Sequence, residues 1–332
     1  MFTKYAEKGD IVIYVGAASG SHIKYLYDLF KHLKLTYHLY DTNPFNWDLQ
    51  NKKEFPGVFI HKEYYTDKIN KKYIKDGKNI IFISDIRGDY NPKKQTVQEL
   101  NQVVHDDMML QKNWVQTLNP KVSLLKFRLP YCIKGDEESK KAYEYLDGDI
   151  YFQAWSGATS SETRLLVPGN LKGKTKLYNP LKYEEQMFYF NTKTRVKYYP
   201  HNVSAQGLDH CFDCMSEVHI LREYLKKWGR LDKYGKLRPI NTKDYDKEIG
   251  KMSENISIRI KHGNLYTLIN PPEDKDKESR DFNKAQSECR KFLKRGRLFE
   301  PNVETIDFNS NQVLNFLDGK IVDIKKTLNI GC

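Results

Sequence analysis

The sequence predicts an α/β fold whose main sheet is largely parallel, and three observations support this prediction. Apolar runs alternate with amphipathic helical patterns through the first half of the chain, as strands and covering helices do. The run IVIYVGAASGSHIKYLYDLF, residues 11–30, is typical of a strand, a glycine turn and a helix in succession. A later run, MFYFNTKTRVKYYP, predicts a hairpin that turns near Asn191 and Thr192 and adds an antiparallel edge.

The remaining elements follow from local patterns along the chain. The strongest strand signal is NIIFISD, residues 79–85. Further strands are predicted at LTYHLYD (35–41), GVFIH (57–61), KVSLLKFRLP (121–130), DIYFQAW (149–155) and TRLLVP (163–168). A helix is predicted over roughly 95–118, because apolar residues recur on one face. A second helix is predicted over 208–228, and Gly229 is a typical residue to follow a helix end.

Length and composition predict one large domain over 1–229 and a charged C-terminal extension over 230–332. A chain of 332 residues is long enough for one large core and a small additional unit. Lys, Asp and Glu dominate residues 230–278, and the run EDKDKESRD is typical of a solvated linker. A helical pattern in KAQSECRKFLKRGR allows a small helical unit within the extension.

The charge balance favours an anionic partner. Lys and Arg total 55 against 43 Asp and Glu, which gives a formal net charge of +12. Together with 13% aromatic residues, whose rings stack on exposed bases, this excess points towards RNA; a generally lysine-rich composition is the alternative. Five cysteines and no N-terminal apolar signal predict reduced thiols in an intracellular compartment. No run approaches the roughly 20 apolar residues that span a bilayer, so no membrane partner is expected.

The glycine turn indicates a nucleotide-like ligand that lacks phosphates. Gly16 and Gly20 let the backbone pass close to a ligand, but the turn reads G-A-A-S-G, which is neither G-x-G-x-x-G nor a P-loop. S-adenosylmethionine suits such a turn, because it carries adenosine and an amino acid without a phosphate. Asp41 and Asp85 end two strands at the same edge of the sheet, where an acidic group can accept the hydroxyls of a ribose. The alternative is a turn that serves only tight packing.

Three charged residues in apolar surroundings predict the chemistry. Asp85, Lys126 and Glu162 each lie at a strand end or just before a strand. Buried charges are costly unless they are paired, so the three are expected to compensate one another. A lysine held among carboxylates can act as a general base, and Lys126 is therefore predicted to activate a ribose hydroxyl of RNA for methyl transfer. Three ordinary rim charges are the alternative.

Four His and Cys residues have a spacing that resembles a metal site. His210, Cys211, Cys214 and His219 form the pattern H-C-x2-C-x4-H, which resembles a set of metal ligands. All four fall within one predicted helix, where adjacent positions point about 100° apart and do not converge. The sequence analysis therefore expects buried thiols and no metal.

Five motifs resemble those of the poxvirus-type cap-specific mRNA nucleoside 2′-O-methyltransferases. The motifs are IVIYVGAASGSHIKYL, NIIFISDIRG, SLLKFRLPY, SSETRLL and KYEEQMFYFN, and they occur in the order and at about the spacings of that family over residues 10–228. The resemblance implies a Rossmann-like core that uses S-adenosyl-L-methionine. It also implies methyl transfer to the ribose 2′-hydroxyl of the nucleotide next to a 7-methylguanosine cap. Members of the family also serve as the small, stimulatory subunit of a viral poly(A) polymerase.

The resemblance assigns residue roles by position. The family has a Lys-Asp-Lys-Glu tetrad, in which Asp85 matches the aspartate, Lys126 the second lysine and Glu162 the glutamate. The methyl-donor pocket would be lined by Tyr14, Gly16, Ala17, Ala18, Ser19, Gly20, His22, Asp41, Asp85 and Arg87. For the capped RNA, the resemblance implies that Tyr131 stacks on the cap base, Glu184 binds the edge of that base and Arg164 contacts the strand near the acceptor nucleotide.

The sequence also departs from the family pattern. The family's first tetrad lysine and second cap-stacking aromatic lie upstream of the glycine turn, in a helix without a counterpart before Ile11, and Ile133 replaces a second cap-recognition carboxylate. These departures keep two alternatives open. One is an RNA-binding accessory subunit of a poly(A) polymerase with weakened or lost methyltransferase activity, and the other is a 2′-O-methyltransferase of structured RNA. The expected partners are capped mRNA and a polymerase catalytic subunit, and the resemblance implies a viral protein of the cytoplasm or virion.

Overall fold

The fold is given by a computed structural model, which describes residues 1–91, 94–156, 160–195, 199–232, 235–260 and 320–321. Within these residues the strands are β1 Ile11–Val15, β2 Thr36–Tyr40, β3 Val58–His61, β4 Ile80–Ser84, β5 Val122–Phe127, β6 Tyr143–Leu146, β7 Asp149–Tyr151, β8 Thr163–Pro168, β9 Thr175–Tyr178, β10 Arg230–Leu231, β11 Leu237–Arg238 and β12 Lys320–Ile321. The α-helices are α1 Phe2–Tyr5, α2 Ser21–Phe30, α3 Asp67–Lys72, α4 Val97–Leu118, α5 Pro180–Tyr189, α6 Phe212–Trp228 and α7 Tyr245–Ile260.

The central sheet is mixed and has the strand order β12-β7-β8-β5-β4-β1-β2-β3. The strands from β3 to β5 pair in parallel, and the strand order reverses between β1 and β4, where α/β sheets bind ligands outside the carboxyl ends of their strands. β8 runs antiparallel to both β5 and β7. The order of a Rossmann-like methyltransferase core, mainly parallel with an antiparallel edge, is therefore confirmed.

Helices cover both faces of this sheet because its central strands alternate their side chains between two cores. All five residues of β4 are buried: Ile80 and Phe82 join the core under α3 and α4, whereas Ile81 and Ile83 join the core under α2 and α6. The helix predicted over 95–118 is confirmed as α4, and a capping box of Thr96 and Glu99 fixes its start.

The predicted hairpin over MFYFNTKTRVKYYP is wrong. Residues 187–189 belong to α5, and a π-helical segment, Phe190–Thr194, continues it. Asn179 caps this helix by accepting a hydrogen bond from the amide of Lys182, and Pro180 occupies its first position. Tyr183, Phe188, Tyr189 and Phe190 are all buried, and such a run of aromatic residues favours a strand when it is judged from sequence alone. The antiparallel edge is made instead by β7 and β8.

The helix predicted over 208–228 begins later, at Phe212, and ends as expected before Gly229, whose φ is +76°. Beyond it, α7 packs against α2 and α6, and its Ile249 and Met252 are buried in the same core as α2. The boundary predicted at 229/230 stays a prediction, and most of the extension lies outside the described residues. None of the helices in the described ranges is both long and apolar enough to cross a bilayer.

Candidate active site

The glycine turn follows β1 and is held by the end of β2. The amides of Gly16 and Ala17 both donate to the carbonyl of Tyr40, at 2.9 and 3.2 Å, and the amide of Ala18 donates to Oδ2 of Asp41 at 3.0 Å. These three backbone donors are therefore already used within the fold. A phosphate cradle needs such amides to be available to the ligand, so the arrangement fits a ligand without phosphates.

Gly16 is required by two features of its position. Its φ of +76° lies in the left-handed region, and a Cβ there would stand 2.8 Å from the carbonyl carbon and oxygen of Asp85. The turn thus lies directly against the backbone that leaves β4. This contact brings the predicted cofactor turn and the first predicted catalytic residue to one edge of the sheet.

The other residues predicted to contact the cofactor surround this turn. Asp41 also accepts two hydrogen bonds from Asn43, and the hydroxyls of Ser19 and Ser21 lie 3.1 Å apart at the start of α2. Tyr14 is half-buried beside the exposed His22; burial, and after it the charge of Asp85, raises the pKa of the Tyr14 hydroxyl. Their roles towards a cofactor stay predictions.

The predicted catalytic trio meets where β4, β5 and β8 come together. Lys126 Nζ lies 3.0 Å from Oδ1 of Asp85 and 3.8 Å from Oε2 of Glu162. Lys126 leaves the sheet near the end of β5, and Glu162 directly precedes β8, which runs in the opposite direction. The reversed direction of β8 is what places Glu162 at the carboxyl ends of the parallel strands.

Two arginines complete the charge balance. Arg164 bridges the carboxylates, with Nη2 2.9 Å from Asp85 Oδ1 and Nη1 2.7 Å from Glu162 Oε1. Arg87 lies 3.2 Å from the other oxygen of Glu162 and 3.5 Å from Oδ2 of Asp107. Around this site the three cations therefore face three carboxylates, and the partial burial of their side chains makes this pairing necessary.

Glu162 is ionised by its neighbours despite burial. Burial alone favours its neutral form, but the positive charges of Lys126 and Arg164 outweigh that effect and lower its pKa. Asp107 behaves differently, because burial raises its pKa more than the amide of Gly88 and the charge of Arg87 lower it.

Asp107 was missed by the sequence analysis. It lies on the buried face of α4 beside Val104, Met108 and Gln111, and its carboxylate holds both Arg87 and the amide of Gly88. A carboxylate within the apolar stripe of an amphipathic helix is the signal that would have found it.

The residues predicted for cap binding lie in a buried layer beside the catalytic trio. Tyr131 is 4% exposed; its hydroxyl lies 2.8 Å from Oγ of Ser161, and the guanidinium of Arg128 covers its ring at 3.9 Å from the centroid. Glu184, on α5, is 6% exposed and close to Cys132, whose pKa burial and the Glu184 charge raise to about 12. Stacking of a base on Tyr131 would require the groups that bury its ring to move, and the roles of Tyr131 and Glu184 stay predictions.

Comparison with known proteins gives relatives for this arrangement. The cap-specific mRNA (nucleoside-2′-O-)-methyltransferase of fowlpox virus (strain NVSL) is 32% identical over 197 residues, covering 56% of this chain and 60% of the relative. The protein of the same name from myxoma virus (strain Lausanne) is 30% identical over 193 residues, covering 55% and 53%. The chain thus spans little more than half the length of these curated relatives.

A solved structure and a family model also match. A protein described as a ribosomal RNA methyltransferase of Plasmodium falciparum aligns with 49% of this chain and 87% of its own, at 13% identity and a TM-score of 0.32, a similarity too low to carry an argument. The model of the poly A polymerase regulatory subunit family matches residues 2–230, well over half of the 332 residues. This chain belongs to the poly A polymerase regulatory subunit family.

Proposed function

We propose that this chain transfers a methyl group from S-adenosyl-L-methionine to the ribose 2′-hydroxyl of the first nucleotide beside a 7-methylguanosine mRNA cap. The observation that carries the proposal is the contact of Lys126 with Asp85, 3.0 Å, at the point where Gly16 touches the backbone of Asp85. A candidate base thus lies at the edge of a candidate donor pocket. The names of the fowlpox and myxoma virus relatives support the same reaction.

The residues of the pocket fit this methyl donor. The amides of the turn are committed to Tyr40 and Asp41, so the pocket offers close backbone approach without a phosphate cradle. Asp41 and Asp85 supply carboxylates at neighbouring strand ends, as the hydroxyls of a ribose and an ammonium group require. When bound, the donor would supply an electrophilic methyl group on a sulfonium.

Lys126 is the proposed proton acceptor. After releasing one of its own protons, Lys126 would accept the proton of the ribose 2′-hydroxyl as that oxygen takes the methyl group that the bound donor would supply. Asp85 and Glu162 hold Nζ in place. Arg164 shares Oδ1 of Asp85 with Lys126, and Arg87 shares Oε2 of Glu162 with it. This arrangement positions the amine and stabilises the ammonium that forms.

Capped mRNA is the proposed substrate, with Tyr131 and Glu184 at the cap and Arg164 near the acceptor nucleotide. The net charge of +12 suits a polyanion. The curated relatives are poxvirus proteins, which favours a viral protein of the cytoplasm.

A second candidate function is an RNA-binding accessory subunit of a poly(A) polymerase with weakened methyltransferase activity. The observation that favours it is the family itself, described as a regulatory subunit. A polymerase catalytic subunit is then the proposed protein partner. The ionic cluster around Lys126 favours the first function, because accessory binding gives no reason to gather three cations and three carboxylates at the ends of the strands.

The test is to incubate the full chain with S-adenosylmethionine carrying a labelled methyl group and with short RNAs that are capped or uncapped. Transfer to the 2′-oxygen of the first nucleotide, only with a cap and lost in Lys126→Ala, is expected. Equal transfer to capped and uncapped structured RNA would instead identify a 2′-O-methyltransferase of structured RNA. RNA binding without any transfer overturns the enzymatic proposal in favour of the accessory one.

A further inference from the structure

Two thiols and a carboxylate lie together at the start of α6, outside the proposed active site. The helix begins at Phe212, so Asp209 and Cys211 precede it and Cys214 lies in its first turn. The prediction that His210 and Cys211 lie in the same helix as Cys214 is therefore wrong. The candidate ligand atoms of Asp209, Cys211 and Cys214 all lie within 4.8 Å of one another.

Backbone amides point at both sulfur atoms. The amide of Asp209 donates to Sγ of Cys214 at 3.1 Å, and the amide of Cys214 donates to Sγ of Cys211 at 3.5 Å. A neutral thiol is a weak acceptor, whereas donation of this kind stabilises a thiolate. Cys211 also caps the N-terminus of α6, where the helix dipole favours negative charge. In the structure the Cys214 thiol donates to the carbonyl of Gly207 at 3.9 Å; on binding a cation both sulfurs would be thiolates, and the two amides would then donate to them.

The Asp209 carboxylate supplies an independent observation. Its Oδ1 accepts from the amide of Cys211 at 2.8 Å, but its Oδ2 is buried and has no hydrogen-bond partner. The backbone of the same residue is held separately, since His201 donates from Nε2 to the carbonyl of Asp209 at 2.6 Å. Buried polar atoms without partners are costly, and a cation beside them removes the cost.

We propose that Asp209, Cys211 and Cys214 bind one Zn²⁺ ion. Thiolate and carboxylate ligands suit this metal, and C-x2-C is the spacing of many structural zinc sites. Zn–S bonds of about 2.3 Å in a tetrahedron set two sulfurs roughly 3.8 Å apart, which agrees with a cluster already gathered within 4.8 Å. One tetrahedral position is left for a further ligand.

The role of this ion is structural. The described residues between Tyr199 and Cys211 form no helix or strand, and they are joined to the start of α6 by these short polar contacts. Asp213, which lies between Phe212 and Cys214 in the first turn of α6, binds Arg195 at 2.7 Å and accepts from the amide of Trp155 at 3.1 Å. Zn²⁺ would therefore fix an irregular segment against α6 at a corner that also holds the β7–β8 loop.

The experiment uses the full chain, purified under reducing conditions, with zinc content measured by elemental analysis and cobalt substitution followed by absorption spectroscopy. The decisive variant is Cys132→Ser/Cys289→Ser/Cys332→Ser, which leaves Cys211 and Cys214 as the only cysteines. We expect it to bind one equivalent of zinc and, with cobalt, to show the near-ultraviolet charge-transfer absorption of two thiolates. Replacement of Cys132 is the matched control for the loss of a buried thiol, because Cys132 is as buried as Cys214.

Further substitutions in the site sharpen the test. Cys211→Ser, Cys214→Ser and Asp209→Asn are each expected to weaken zinc binding by more than about 100-fold, beyond what loss of a neighbouring group causes. If the cysteine variants do not fold, the triple variant still decides, since its site is intact. Absence of zinc and of cobalt–thiolate absorption in the triple variant, or a disulfide between Cys211 and Cys214 in its place, overturns the proposal.

Discussion

Lys126 and Arg164 face each other across the antiparallel pair of β5 and β8, and both contact the same oxygen atom, Oδ1 of Asp85. Two cations directly opposite on neighbouring strands repel each other. The carboxylates of Asp85 and Glu162 lie against both cations and compensate the repulsion. The register of one strand pair therefore determines the geometry of the whole ionic cluster.

Lys126→Ala should lower the rate of methyl transfer by about 10²- to 10⁴-fold, the usual contribution of a general base. The substitution removes the proposed proton acceptor but leaves the glycine turn, so binding of the methyl donor is expected to persist. Label transfer and calorimetric binding of the donor measure the two effects. Lys112→Ala is the matched control, because Lys112 is also partly buried and paired, with Glu144 at 3.6 Å. An unchanged rate in Lys126→Ala would refute the assigned role.

Arg164 and Asp85 should be energetically coupled. A double-mutant cycle with Arg164→Gln and Asp85→Asn, followed by urea unfolding, is expected to give a coupling free energy of about 0.5–3 kcal/mol, as for residues in one ionic network. The pair Lys141 and Glu138, 2.6 Å apart and exposed on both sides, serves as the control, with about 0–1 kcal/mol expected. Equal coupling in both pairs would show that partial burial adds nothing to the Arg164 contact.

Gly16→Ala should destabilise the fold and abolish binding of the methyl donor. The new Cβ would be both strained, at a φ of +76°, and 2.8 Å from the backbone of Asp85. Strain alone costs on the order of 1–3 kcal/mol. Gly9→Ala measures the cost of backbone strain alone, because Gly9 has a φ of +84° and nothing lies within 4 Å of the added Cβ. We expect denaturant unfolding to show a larger loss for Gly16→Ala; equal losses would argue against the close contact with Asp85.

The stabilising effect of Glu162 should disappear in acid. Its pKa is lowered in the folded state, so its ionised form stabilises the fold above the unfolded pKa, about 4.3, and the effect is lost as the pH falls through the folded value. The difference in unfolding free energy between the wild type and Glu162→Gln is expected to be constant near neutrality and to shrink as the pH falls below roughly 5.

Glu217→Gln gives a control of opposite sign. Burial raises the pKa of Glu217, which accepts a hydrogen bond from Trp155, so its contribution becomes more favourable as the pH falls. If both variants respond to pH with the same sign, the charges of Lys126 and Arg164 do not control Glu162.

The parts of the fold that the sequence predicts are those with one clear periodicity. The β1–turn–α2 unit, β4 and α4 have apolar residues on a strand or helix face and recognisable ends. α5 was missed because its buried residues include several aromatic residues that favour strands, although Asn179 and Pro180 do mark a helix start.

The site was predictable only in part, because some of its contacts depend on how distant segments are aligned. Asp85, Lys126 and Glu162 stand out as charges in apolar sequence, and the structure brings them together, while their chemical roles stay predictions. The bridges made by Arg87 and Arg164 depend on how β5 and β8 are aligned and on which loops meet α4. Local sequence does not contain that information.

The direction of β8 divides the molecule into two parts that can change separately. The proposed donor side is built from turns that follow parallel strands, such as Gly16 after β1, whereas Glu162 stands on a loop that precedes a strand. Insertions between β7 and β8 would reshape the acceptor side without altering the strand order or the glycine turn. The proposed donor side and the proposed acceptor side can therefore vary independently, the latter through the length of a single loop.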